Sequence, residues 1–123
     1  MIRKFVLAAI LVAAPLGALQ AMNVATFLQK ADALEKKGMR AMFSSDFRLL
    51  KNEVVTATTA LRNERLAAER AGRRGAYCPT KKSSLNSNEI LAAFRSIPAG
   101  QRQSVEVKDA MRALLVRKFP CRG

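Results

Sequence analysis

Apolar residues recur at steps of three and four along most of the chain beyond residue 22, and that spacing restricts the fold more than any other feature. Side chains three and four apart share one face of an α-helix, whereas a half-buried strand would bury every second residue. Val24, Phe27, Leu28, Ala31 and Leu34 form one stripe, with Asn23 placed to cap it and Gly38 to stop it. Phe43, Phe47, Leu50, Val54, Ala57 and Leu61 form a longer one that starts at a Ser44 or Ser45 cap, or nearer Met39, and ends in Gly72-Arg73-Arg74-Gly75. The β-branched Val54-Val55-Thr56 and Thr58-Thr59 lower helix propensity locally and make a short strand the rival reading; the periodicity on either side favours helix.

A third stripe, Ile90, Leu91 and Phe94 with Ile97 at its edge, follows Asn86 and Glu89, which are spaced for a capping box. It closes at Pro98-Ala99-Gly100. The fourth, Val107, Met111, Leu114 and Leu115, has Ser104 as its expected cap, with Glu106 and Asp109 facing the helix dipole in the first turn. The pattern therefore predicts an all-α fold, a small bundle of about four helices, with residues 72–86 as the linker between its halves.

Ahead of this domain, Arg3 and Lys4 precede an unbroken apolar run over residues 5–14, which Pro15 and Gly17 end before Leu19-Gln20-Ala21. A positive start, a short apolar stretch and a small residue at the cut make a secretory signal peptide, and the run is shorter than the ~20 residues of a bilayer span. The expected division is residues 1–21 as signal peptide and residues 22–123 as one helical domain. Removing 1–21 takes two basic residues and no acidic one from the formal charge of +13, leaving +11.

Export changes the meaning of Cys78 and Cys121, the only two cysteines. Outside the cytoplasm an isolated pair is expected to form a disulfide. Closing a loop of this length is worth roughly 4 kcal/mol of chain entropy. There is no Cys-x-x-Cys and no histidine to activate a thiolate, so a redox or nucleophilic role has little support.

The absence of histidine also removes Ser-His-Asp and Cys-His catalysis and His-ligated metals, and two cysteines alone cannot hold a structural zinc. Glu106 and Asp109 lie one turn apart, but Arg112 follows Asp109 by three, so this reads as a solvated, salt-bridged face, and Glu64, Arg65, Glu69 and Arg70 read the same way. Lys81 and Lys82 beside Ser83 and Ser84 have nothing apolar around them to lower a lysine pKa. Asp46 and Glu53 are separated by basic residues and make no metal cage. The expectation is a protein that is not an enzyme, with no cofactor and no metal.

The C-terminal half carries a more specific pattern. Cys78-Pro79, a polar gap, the helix Ile90-Leu91-Ala92-Ala93-Phe94, then Pro98, an amphipathic helix and the ending Phe119-Pro120-Cys121 resemble the Rap/Tai family of immunity proteins. The resemblance covers residues 77–121. It implies a small exported helical protein in the periplasmic space of a Gram-negative bacterium. Such a protein binds a peptidoglycan-amidase toxin delivered by type VI secretion and occludes its active site. The partner would be a secreted toxin or enzyme, and the basic loop Arg73, Arg74, Tyr77, Lys81 and Lys82, anchored by Cys78, is the candidate contact face.

The competing reading is a basic cell-envelope protein that binds acidic polymers or lipid head groups through its charge alone. Nucleic acid is not expected as a partner, because export removes the chain from it and the basic stretches lack interleaved aromatics. Val55 and Leu66 on the long helix offer a stripe that could support a homodimer or equally pack within the monomer.

Overall fold

The structure, a computed structural model, describes residues 21–122; apart from Ala21, the export segment expected over 1–21 lies outside the described residues. Four α-helices make up the bundle: α1 Val24–Lys37, α2 Ser45–Arg70, α3 Ser87–Arg95 and α4 Val107–Lys118. There is no named strand among the described residues, and the Val54–Thr59 stretch is helical. Thr58 satisfies its hydroxyl within the helix by donating it to the carbonyl of Val54, one turn back, at 2.9 Å.

Each helix begins where its orphan N–H groups find acceptors. Asn23 accepts from the Thr26 N–H at 2.8 Å and starts α1. Ser44 accepts from the Asp46 N–H at 3.2 Å and starts α2. The α3 capping box is complete: Glu89 N–H donates to Asn86 Oδ1 at 2.9 Å, and Asn86 N–H donates to Glu89 Oε2 at 3.1 Å.

The start of α4 differs from the sequence expectation. Ser104 is not its cap; the Ser104 hydroxyl donates to the Gln101 carbonyl in the preceding turn. The N-cap position is Glu106, whose side chain makes no cap bond. Tertiary structure replaces the cap, because Val107 N–H donates to Met22 O at 2.9 Å, and in exchange Val24 N–H donates to Val105 O at 2.9 Å. The N-termini of α1 and α4 thus satisfy each other across a short antiparallel bridge between Asn23 and Glu106.

The core runs through all four helices. Val24, Phe94, Val107 and Met111 are its most deeply buried side chains, and Phe27 meets Phe94 edge-on at 5.0 Å between ring centres. α2 contributes Leu50, Ala57 and Leu61, with Val54 half-buried. Phe43 and Phe47 were expected on the same stripe and are not in the core. α2 begins only at Ser45, so Phe43 falls in a 3-10 helix over Gly38–Phe43 and is 89% exposed, and Phe47, on the first turn of α2, is 38% exposed.

Cys78 and Cys121 form the expected disulfide, with Cα atoms 4.9 Å apart, so the bundle is stapled where the linker meets the end of the chain. The Cys78 N–H donates to the Phe119 carbonyl at 2.8 Å beside it. No described helix is long and apolar enough to cross a membrane.

Candidate functional site

Two surfaces have the make-up of a contact face. The first is the basic loop that leaves α2. Its entry is fixed by a Schellman turn: Gly72, at φ 76°, donates its N–H to Glu69 O at 3.0 Å, and Arg73 N–H donates to Ala68 O at 2.8 Å. The chain then turns inward. Gly75 is buried so tightly against α2 that a Cβ there would lie 2.6 Å from Arg65 Cγ. Tyr77 follows into the core, with the Arg65 guanidinium 5.5 Å from its ring centre.

That placement corrects one residue of the sequence-derived site. Tyr77 is 6% exposed and belongs to the core, so its ring is not offered to a partner. Arg73, Arg74, Lys81 and Lys82 are exposed as expected, on either side of the stapled Cys78. The Thr80–Ser83 turn uses the Ser83 hydroxyl as the acceptor for the Thr80 N–H, a structural role for one of the two serines beside Lys81 and Lys82. Beneath the loop lies a shallow open hollow of about 260 Å³ between Thr58, Arg62, Pro79 and Phe119.

The second surface was not expected from the sequence as a site. An open groove of about 540 Å³ runs between α1, α2 and α3, lined mostly by apolar side chains that include Leu34, Phe47, Val54, Val55, Ile90 and Leu91. Of the homodimer stripe suggested by sequence, Val55 is exposed along this groove and Leu66 is half-buried. The available signal was the adjacency of Val54 and Val55 and of Leu49 and Leu50. Neighbouring helix positions point about 100° apart, so one core cannot cover both members of each pair.

The carboxylates do not assemble into a reactive centre. Glu64 receives Lys108 and Arg112 from α4, and these two cations hold its carboxyl below the usual carboxylate range. Lys118, helped by the Asn86 N–H, does the same for Glu89. Asp109 pairs with Arg112 at 2.9 Å, and Glu106 is exposed at the N-cap position of α4. Arg95 bridges Asp32 and Glu35 at 3.0 and 2.8 Å, and Lys30 holds Asp46 at 3.4 Å. A general acid needs its pKa raised, and the two shifted carboxylates here move the other way. Among the described residues no three His, Cys, Asp or Glu side chains gather as a metal site would require.

The chain matches no protein-family model, no curated protein and no solved structure. The contact faces therefore have to be read from their own chemistry: a stapled cationic loop on one side, an apolar groove on the other, and ion-paired carboxylates between the helices.

Proposed function

We propose that this is an exported, non-catalytic binding protein of the immunity type, acting in the periplasm of a Gram-negative bacterium. It captures a secreted peptidoglycan-amidase toxin and keeps that enzyme's active site covered. The observation that carries this reading is the open apolar groove on a disulfide-stapled bundle. A concave apolar surface with a rigid wall suits a central anchor from a protein partner, surrounded by polar contacts that exclude water. The cations of the 72–82 loop would speed encounter with an acidic partner and fix its orientation more than they would add affinity.

The test is a complex between the purified protein and the product of an adjacent toxin-like gene, with survival of cells that express that toxin in the periplasm as the second readout. Val55→Asp or Leu91→Asp is expected to weaken the complex by tenfold or more, since a charge would be buried in an apolar contact. No complex, and no protection by the unaltered protein, would reject the reading.

A second reading rests on the exposed cations of the loop. Arg73, Lys81 and Lys82 are exposed and have no acidic partner among the described residues, which suits acidic wall polymers or lipid head groups. It predicts affinity that collapses between low and physiological salt. Partner capture through an apolar groove predicts a complex of fixed stoichiometry that outlasts added salt.

A further inference from the structure

The 3-10 helix Gly38–Phe43 presents the most exposed large apolar side chains of the described molecule: Met39 is 85%, Met42 64% and Phe43 89% exposed. They do not line the groove. They project into water from the turn between α1 and α2, while Ala41 of the same turn packs inward against the core. The tip is held at both ends. Gly38, at φ 60°, closes α1 with its N–H on Glu35 O, and Ser44 N–H donates to Ala41 O at 3.0 Å before α2 begins. Three large apolar groups are therefore kept in water by a structured turn.

The charges around the tip have one sign. The acidic residues nearby are already taken, Asp32 and Glu35 by Arg95 and Asp46 by Lys30. Lys36, Lys37, Arg40 and Arg48 are exposed and have no acidic partner among the described residues. We propose that this turn is a membrane-interfacial anchor, seating Met39, Met42 and Phe43 at the headgroup–acyl boundary of an anionic bilayer with Lys36, Lys37, Arg40 and Arg48 among the lipid phosphates.

The shape and charge of the tip select that occupant. Apolar side chains that project this far into water, 64% to 89% exposed, need a complementary cavity in a protein partner, whereas the interfacial zone of a bilayer accepts any outline. A second copy is opposed by charge, because joining two tips brings the four cations of each against those of the other. Anionic lipid supplies the complement, and each basic residue near such a surface adds to the attraction. The anchor does not depend on partner capture, and it goes beyond charge-only envelope binding by adding apolar insertion.

The chain contains no tryptophan, so Phe43→Trp supplies a single local reporter at an exposed site where the fold does not need the ring. With vesicles of phosphatidylglycerol and phosphatidylethanolamine its emission should shift to the blue and become shielded from an aqueous quencher, and with phosphatidylcholine alone it should change little. Adding Met39→Ser and Met42→Ser should weaken partitioning by about tenfold, given the apolar area withdrawn from the interface. Replacing Lys36, Lys37 and Arg40 by Glu should abolish the response to phosphatidylglycerol. Emission that ignores vesicles would overturn the proposal even if the chain sedimented with them through another surface. So would serine variants that partition like the parent, or a blue shift that grows with protein concentration in the absence of lipid, which would assign the tip to a second copy.

Discussion

At the residue scale, the junction of linker and bundle depends on Gly75, Arg65 and Tyr77. The glycine is needed there for space, since a Cβ would lie only 2.6 Å from Arg65 Cγ. Gly75→Ala is expected to displace the Arg65 stem from Tyr77 and to cost about 1–3 kcal/mol, as overpacking does. In a domain of this size each 1 kcal/mol lowers Tm by about 4–8 °C, which thermal unfolding would detect. An unchanged Tm would mean that the Arg65 stem gives way freely.

Glu64 makes the pH prediction. Lys108 and Arg112 hold its pKa below 4.5, the ordinary value. A carboxylate whose pKa is lowered by folding stabilises the native state above its unfolded pKa, and the gain disappears as pH falls through the folded value. Stability should therefore decline on acidification below about pH 4.5. Glu64→Gln, compared with the parent by Tm from pH 7 to pH 3, should show a shallower decline. Half of the Glu64 side chain is in water, so the difference will be modest.

At the scale of elements, α3 is the helix most dependent on its cap. Nine residues are too few to hold a helix in water without help, and this one has a complete capping box and two core anchors, Ile90 and Phe94. Asn86→Ala should cost about 1 kcal/mol and raise amide exchange in the first turn of α3 ahead of the other helices. Equal exchange in α3 and α2 would show that packing alone holds it. That cap was legible in the sequence because Asn86 and Glu89 bond only within their own turn. The start of α4 was not legible, because the acceptor for Val107 is the backbone of Met22, 85 residues earlier, and backbone atoms leave no mark in the identity of a residue. Phe43 and Phe47 were misplaced for a related reason: they fit the periodicity of α2, but they sit at and before its first turn. α2 runs for about 39 Å at 1.5 Å per residue, against about 21 Å for α1 and about 14 Å for α3, so shorter neighbours leave part of it uncovered.

At the scale of the whole molecule, the disulfide joins the linker after α2 to the segment after α4 and closes the C-terminal half on itself. Replacing both cysteines by serine should lower stability by roughly 4 kcal/mol, less whatever the reduced chain keeps of its native contacts. Denaturant unfolding with and without a thiol reductant is the check. A reductant that left the midpoint unmoved would show that packing around Phe119 and Tyr77 already fixes the linker. The contact surfaces also belong to this scale. The cationic loop is visible in the sequence as a run of like charges beside a cysteine, and Tyr77 falls within it by position alone. Its burial depends on Arg65 and Gly75 meeting across the fold.

The sequence by itself determined the number and class of the helices, two of the caps, the disulfide partners and the sign of the surface. These follow from the 3.6-residue period, from side chains that bond within one turn, from there being only two cysteines, and from a charge count. Only the tertiary structure decided which apolar residues are covered. It placed Tyr77 inside, left Phe43 and Val55 outside, opened the groove beside α2 and set the Met39–Phe43 tip in water. Burial depends on where neighbouring helices end and how they cross, and no residue's own neighbours in the chain contain that information.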